Sequence, residues 1–419
     1  MSDATGRPAA SPPHSTSHAQ PEAPLSAKAP PIWILIAATA TGPLALNIFV
    51  PSMPGLVGYF QTDYATIQLT LTLYLAGVAI AQLGYGPISD RFGRRPAMLA
   101  GLAIYVIGSL MCMMAWSVEV LILARILQAI GGCAGMVLGR AIVRDVFDRD
   151  SSASVIALIT MAMAVAPAVA PTIGGTLDTV FDWRAAFIVP MVIGSIVLLG
   201  SIRGLNETNL YRSPSIDVVA MLRNYGRLLG SRAFIGYALN TAMSVGAFFS
   251  FLAGAPYVMV EILHRKPHEY GLYFVLISVG YMTGNFLASR ISRKLGVDRM
   301  IPLGVGVSLC GAIPGFILAF NDVVTPATVF LPMCLVAVGN GLSQPNGISA
   351  AVSVNPKIAG AASGLMGFLQ MSVGGLFTVV VGHFQNQTDH FAMASVILFA
   401  TAGSVLFYIM ARLGARPTA

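Results

Sequence analysis

The stretch GPISDRFGRR, residues 86–95, crowds Asp90, Arg91, Arg94 and Arg95 between two long apolar runs. In a chain only 10% charged, that density needs a reason. Asp90 and Arg94 are four residues apart, a spacing that pairs them if the turn is helical. A carboxylate beside the start of a neighbouring helix would also meet unpaired amides and the positive end of the helix dipole. Such contacts make and break without covalent chemistry, and so suit a switch. Gly86 would let another helix approach closely, and Gly93 would allow a tight turn. The plainer account is that the arginines anchor topology, although Asp90 adds nothing to that signal. A second candidate is Arg125, in RILQAIGGCAGMVLGR (125–140), a charge within an apolar run that needs a partner or a wet cavity. The alternative is a side chain snorkelling outwards. Gly131, Gly135 and Gly139 follow it at four-residue intervals and read as a packing face. In APAVAPTIGG (166–175), Pro167 and Pro171 free backbone carbonyls and bend a helix, while Gly174 and Gly175 permit close packing.

Membrane helices must position these residues. A composition 56% hydrophobic over 419 residues, with mean hydropathy +0.76, excludes an ordinary water-soluble domain. A bilayer core of about 30 Å needs roughly 20 apolar residues per helix. Twelve such runs lie near residues 32–53, 65–88, 97–115, 120–143, 153–177, 185–202, 233–260, 270–289, 300–320, 327–350, 360–383 and 391–411. Of the 24 Lys and Arg residues, all except Arg125, Arg184, Arg265 and Lys266 fall on one side of this arrangement, which predicts both termini in the cytoplasm. The net charge of +7 does not argue for nucleic acid, because most arginines sit in short segments between apolar runs.

Residues 1–31 are rich in Pro, Ala, Ser and Thr and are expected to form a disordered cytoplasmic tail rather than a cleaved signal. The longest interior loop, 204–232, divides six-helix groups at 32–203 and 233–413, with a short tail at 414–419. Its segment SIDVVAMLRNYGRLLGSRAF has apolar residues at helical spacing with arginines between, as a helix on the inner membrane surface would. SDRFGRR (89–95) aligns with SRKLGVD (292–298), an offset of 203, and VAPTIGG (169–175) with LQMSVGG (369–375), an offset of 200. Two matches at nearly one offset argue for a duplicated six-helix unit with a site between the copies.

No catalytic constellation emerges. The 17 acids and six histidines all fall near helix ends or in loops, so no base or nucleophile pair gathers at depth. Cys112, Cys133, Cys310 and Cys334 lack metal-ligand spacing and read as small buried hydrophobes. Neither a metal, a cofactor nor a nucleotide-binding loop is indicated.

The Gly-x-x-x-Asp-Arg-x-Gly-Arg-Arg pattern, at the turn between the second and third crossings, resembles the signature of the major facilitator superfamily. APAVAPTIGG resembles the antiporter motif of twelve-helix drug exporters. Together with WRAAF (183–187), NYGRLLGSRAFIGYAL (224–239) and FLAGAPYV (251–258), it is similar to the Bcr/CflA group of drug resistance transporters. The resemblance implies an all-α membrane protein with two six-helix bundles related by a pseudo-two-fold axis. It would rock about a central site in a bacterial inner membrane, exporting amphipathic small molecules by proton antiport as a monomer. It also implies that Asp90 faces the start of the eleventh helix, AGAASG (359–364), that Arg94 reaches Asp145, and that Arg125 with Gln128 belongs to a proton-coupling motif.

One departure is notable. Related exporters commonly carry an acid in the first helix where this chain has Asn47, and a buried carboxylate is the natural proton carrier. Glu119, Asp145 and Asp178 remain as helix-end candidates. With Arg125 the sole charge at depth, the cavity is expected to favour neutral or anionic compounds over lipophilic cations. Candidate cavity residues are Asn47, Tyr74, Asn240, Asn340 and Gln344, with Met161, Met243 and Phe248 as pliable wall; each has the alternative of an interhelix contact. GNGLSQPNG (339–347) is the strongest expected helix disruption. An exporter of an anionic metabolite is the rival reading.

Overall fold

The computed structural model describes residues 29–147, 149–210, 218–385 and 391–415, with the side chains of 149–154, 157, 162, 164, 357 and 415 left aside. The expected tails therefore lie almost wholly outside the described residues, as does the beginning of the amphipathic segment. Among the described residues, 12 helical spans are long and apolar enough to cross a membrane, and no strand is present.

The first span is broken: α1 (Ile32–Ile48) gives way to a single 3-10 turn at Val50–Ser52 and then α2 (Met53–Phe60). Pro51 has no N–H to continue the ladder, which explains the break. There follow α3 (Tyr64–Phe92), α4 (Arg94–Met113), α5 (Val118–Val146), α6 (Arg149–Val180) and α7 (Ala185–Gly204). After the linker helix α8 (Val218–Leu229) come α9 (Arg232–Tyr257), α10 (Pro267–Leu295), α11 (Val297–Phe320), α12 (Pro326–Ser353), α13 (Ala359–Phe384) and α14 (Phe391–Ala415). Asp63, Ser117, Ser231 and Thr325 each accept an amide hydrogen bond at the start of α3, α5, α9 and α12. The expected disruption at GNGLSQPNG does not occur. The α12 helix runs unbroken through Pro332 and Pro345, and Gly339 and Gly341 are instead where α11 and α10 come into contact with it. α6 likewise passes through Pro167 and Pro171 without interruption.

Each half packs a central pair of helices, α1 and α5 or α9 and α12, against peripheral α4 and α7 or α11 and α14. The halves meet along two seams, α3 with α13 and α6 with α10. The duplication is visible in the backbone: Gly93 and Gly296, 203 positions apart in the chain, are the two glycines with positive φ among the described residues, 107° and 78°, and each starts a helix. The glycine face of α5 serves two neighbours rather than one. Gly131 meets Gly101 and Tyr105 of α4, while Gly135 and Gly139 meet Ala38 and Thr39 of α1.

α8 buries Leu228 in a cluster with Phe234, Tyr237 and Leu365 of the second half and leaves Val219 and Leu222 exposed, as an interfacial helix would. Of the cysteines, Cys112 and Cys133 are buried and Cys334 is half-buried, but Cys310 is exposed on α11, contrary to expectation. It lies on an exposed face of an apolar helix, a face that lipid rather than protein would cover in a bilayer.

Candidate functional site: two gates and a buried arginine

One end of the bundle carries the α3–α4 turn, the ends of α5 and α7, and both described chain ends; it is called here the basic end. Gly93 turns the chain there, and Arg94 Nη1 pairs with Asp90 at 2.6 Å while its Nε donates to Asp145 Oδ2 at 2.9 Å. Ser89 Oγ takes a further bond from Arg94, at 2.6 Å. Arg95 points away from this group and donates to the carbonyls of Leu205 and Ile202 at the end of α7. Arg91 lies over the Phe92 ring at 5.2 Å.

The start of α13 does not join this cluster. Among the described residues, no atom beyond the adjoining backbone lies within 4 Å of where a Cβ on Gly86 or Gly360 would stand. Close approach of another helix at Gly86 is thus not seen. Asp90 is 54% exposed at its side chain, so its outer face is available. Contact between α3 and α13 begins deeper, where Gln82 meets Gly367.

At the opposite, far end the halves are sealed. Tyr64 Oη and Gln68 Nε2 both donate to the Ala253 carbonyl, at 2.8 and 2.5 Å. Thr72 and Thr378 share a hydroxyl hydrogen bond of 2.6 Å, and the rings of Tyr64 and Tyr257 lie 4.6 Å apart. On the other seam, Gly175 packs on Pro267 and His268 at the start of α10, and Gly271 packs in return on Pro171 and Thr172. Gly174, one residue earlier, packs on Ile48 of its own half. The antiporter-like glycines therefore face different partners: Gly174 holds a bundle together, whereas Gly175 closes one bundle on the other. Asp178 lies one turn past Gly175, half-buried beside Ser52 and Asp182. Glu119 is exposed in the first turn of α5.

Sequence reasoning missed Tyr64, Gln68, Thr72 and Thr378. A signal existed, since Gln68 and Thr72 repeat at helical spacing within an apolar run. What could not be read is that the carbonyls of Ala253 and Gly254, near the end of α9, take hydrogen bonds from side chains of α3 and from Gln385.

Arg125 lines no open cavity. It is fully buried in the first half, where Nη1 donates to Ala45 O at 2.9 Å and Gln128 Oε1 at 2.7 Å. Its guanidinium lies 4.2 Å from the Tyr74 ring centroid and 5.1 Å from that of Phe49. Gln128 continues to Ser109, and Tyr74 and Tyr105 hold the carbonyls of Gly42 and Thr41. Arg125 Nε and Nη2 have no protein partner, nor does Asn47 Oδ1. The charge is accommodated by aromatic faces and carbonyls rather than by a carboxylate. The ground for expecting Arg125 to set cavity charge is therefore removed. The exposed cations on the same helix are Arg140, which touches Met163 Sδ of α6 at 3.7 Å, and Arg144, one turn beyond it.

The cavity candidates are mostly engaged in packing. Asn47 and Tyr74 are buried in the first half. Asn240 donates to Ser404 O of α14, and Met243 lies against Gly403 of the same helix. Asn340 bridges α12 to Ser244 and Ser308. Gln344 accepts from Tyr281 at 3.1 Å, and Phe248 stacks edgewise on Phe249 and Phe274. Met161, 59% exposed, belongs to an aliphatic stripe on α6 with Leu158, Val165, Val169 and Ile173. Between α3 and α13 an apolar cleft of about 350 Å³ opens, lined by Thr72, Ala76, Ile80, Phe368, Met371 and Leu376.

Twelve apolar spans in paired bundles that meet along two seams define a membrane transporter rather than an enzyme. Residues 35–379 match the Major Facilitator Superfamily, and the chain belongs to it. It is 30% identical over 373 residues to the MFS-type transporter YdgK of Bacillus subtilis, covering 88% of this chain and 92% of that one. It is 28% identical over 342 residues to Multidrug resistance protein D of Escherichia coli, covering 81% and 85%. Among solved structures, a bacterial homologue of the human lysosomal transporter Spinster, inward-facing and unoccupied, superposes with a TM-score of 0.72 at 14% identity, covering 93% of this chain and 98% of that one.

Proposed function

We propose that this transporter exports amphipathic small molecules across a bacterial inner membrane by proton antiport, and that the structure is its inward-open state. The basic end is then cytoplasmic, a reading that the distribution of Lys and Arg supports, and both termini would lie on that side. The observation that carries the reading is the asymmetry of the two gates: Tyr64, Gln68, Thr72 and Gly175 join the halves at the far end, whereas Gly86 and Gly360 face open space at the basic end. Export would close the basic end and part the far seams.

Multidrug resistance protein D, and the multidrug transporter MdfA of Yersinia pestis at 28% identity over 334 residues, support drugs as cargo. Placement in the Bcr/CflA group belongs to the same proposal. The apolar cleft between α3 and α13 suits amphipathic solutes better than sugars, because its walls offer few hydrogen-bonding groups. For the proton, Asp178 is the best-placed of the helix-end acids. It sits half-buried beside the α6–α10 seam, where a change of charge would bear on closure. Arg125 and Gln128 then brace the first half as it rocks. Counterflow in reconstituted vesicles, with a panel of neutral, cationic and anionic amphiphiles at two pH values, tests the reading. Exchange of none of the panel, together with exchange of a polar metabolite, would overturn it.

A further inference from the structure

Residues 205–209, LNETN, follow α7 and carry no motif, yet they cap three helix ends. Glu207 Oε1 accepts from the Arg94 amide at 2.8 Å and Oε2 from the Arg95 amide at 3.4 Å, at the start of α4. The same carboxylate holds the amides of Thr208 and Asn209, at 3.1 and 3.0 Å. Asn209 Nδ2 donates to the carbonyls of Ser89 and Asp90 at the end of α3, at 3.3 and 3.0 Å. Arg95 returns the contact by donating to Leu205 O and Ile202 O at the end of α7. Thr208 Oγ1 joins Arg94 on Asp145 Oδ2, at 3.2 Å.

Every one of these partners belongs to the first half. The strap therefore binds α3, α4, α5 and α7 into one unit. Its chemistry also decides what Asp90 can do. The start of α4 is an anion site, with free amides and the positive end of a helix dipole. Asp90, in the turn just before it, is a natural occupant. Glu207 fills that place instead and leaves Asp90 half in solvent.

We propose that Glu207 and Asn209 are positioning residues of the basic-end gate: by satisfying the start of α4 and the end of α3, they keep Asp90 presented to the incoming start of α13 and Arg94 seated on Asp145. The strap stays fastened in both states and moves with the first half. This rests on the alternating-access reading above. Removing Glu207 lets Asp90 fold back onto α4, so the state with the basic end closed loses a contact while the open state does not.

The test needs no substrate. Spin labels at Ala100→Cys on α4 and Ser289→Cys on α10, both exposed at the basic end, report its opening in lipid nanodiscs. Cys310 and Cys334 are replaced by alanine in this background. Glu207→Ala is expected to lower the ratio of closed to open basic end roughly fivefold, the effect of losing one cap. Glu207→Gln, which keeps an acceptor oxygen, restores part of that ratio, and Asn209→Ala follows Glu207→Ala. Thermal midpoints are measured on the same samples. A Glu207→Ala protein with a lowered midpoint but the parent's distance populations would reduce the strap to a structural cap and overturn the proposal alone. A parent showing one fixed distance under all conditions would remove the carrier reading and the proposal with it.

Discussion

Gly174 and Gly175 are adjacent on α6, and replacing each by alanine is predicted to produce different defects. A Cβ on Gly175 would stand 2.5 Å from Pro267 O and 2.9 Å from His268 Cα, both backbone atoms of the opposite half. Neither can swing aside as a side-chain tip would. Carbon contacts are comfortable at about 3.5 Å, so α10 must retreat by roughly 1 Å or the seam must carry the overlap. Overpacking of this kind costs about 1–3 kcal/mol. The cost falls only on the state in which the far end is closed, because the methyl group has space once the halves part. At about 1.4 kcal/mol per tenfold, the closed-to-open ratio at the far end should fall between about fivefold and about a hundredfold. Gly271→Ala, whose methyl would meet Pro171 and Thr172 from the other side, should behave alike. Gly174→Ala meets Ile48 of its own half in both states and should lower the thermal midpoint without shifting the ratio. Spin labels at Met114→Cys and Ala327→Cys, exposed at the far ends of α4 and α12, would measure the ratio. If Gly175→Ala and Gly174→Ala lost stability equally and neither moved the distance distribution, the assignment of Gly175 to a moving seam would be wrong.

Four other outcomes are expected. Arg125→Lys keeps the charge but loses the planar contact with Tyr74 and the reach to both Ala45 O and Gln128, so the detergent-solubilised protein should unfold at a lower temperature by an amount equivalent to about 3 kcal/mol; a midpoint within a degree of the parent would refute the buried network. Asp178→Asn should abolish uphill export driven by a pH gradient while sparing counterflow, and retention of gradient-driven transport would exclude Asp178 as the proton carrier. Arg140→Gln should reduce exchange of anionic relative to neutral amphiphiles, because it removes the exposed cation that touches α6; an unchanged ratio would show that the cargo does not pass it. At the far end, hydrogen bonds from the Thr66 hydroxyl and amide hold the Asp63 carboxyl below its ordinary range. A lowered folded-state value stabilises above the ordinary range and is lost as pH falls through the folded value; solvent screens this exposed group, so Asp63→Ala should cost about 0.5 kcal/mol at neutral pH and less in strong acid. A cost that grew on acidification would contradict the cap.

The turn containing Gly93 was legible because it rests on local chemistry, in which a glycine at positive φ reverses the chain and an acid and arginine four apart can pair. Its repeat at Gly296 was legible for the same reason. The behaviour of Pro345 was not. A proline breaks an isolated helix, but α12 packs against α9, α10 and α11, and it continues through Pro345. Pro51 lies where the first span reaches the far end, and there the helix does break. Asn240 and Asn340 illustrate a further limit. An amide within an apolar helix satisfies its hydrogen bonds either in a wet cavity or on a neighbour, and the residue type alone does not say which.

The sequence by itself determined how many apolar spans this chain has, that its positive loops gather at one end of the bundle, and where the two copies of its repeat turn. These properties depend on hydropathy, charge and backbone freedom, which act over a few residues. Only the tertiary structure decided that Arg125 is sealed among aromatic rings, that Glu207 occupies the start of α4, and that Gly174 and Gly175 serve different halves. Those outcomes depend on which faces of separate helices meet. Such meetings join residues up to several hundred positions apart, and no local pattern encodes them.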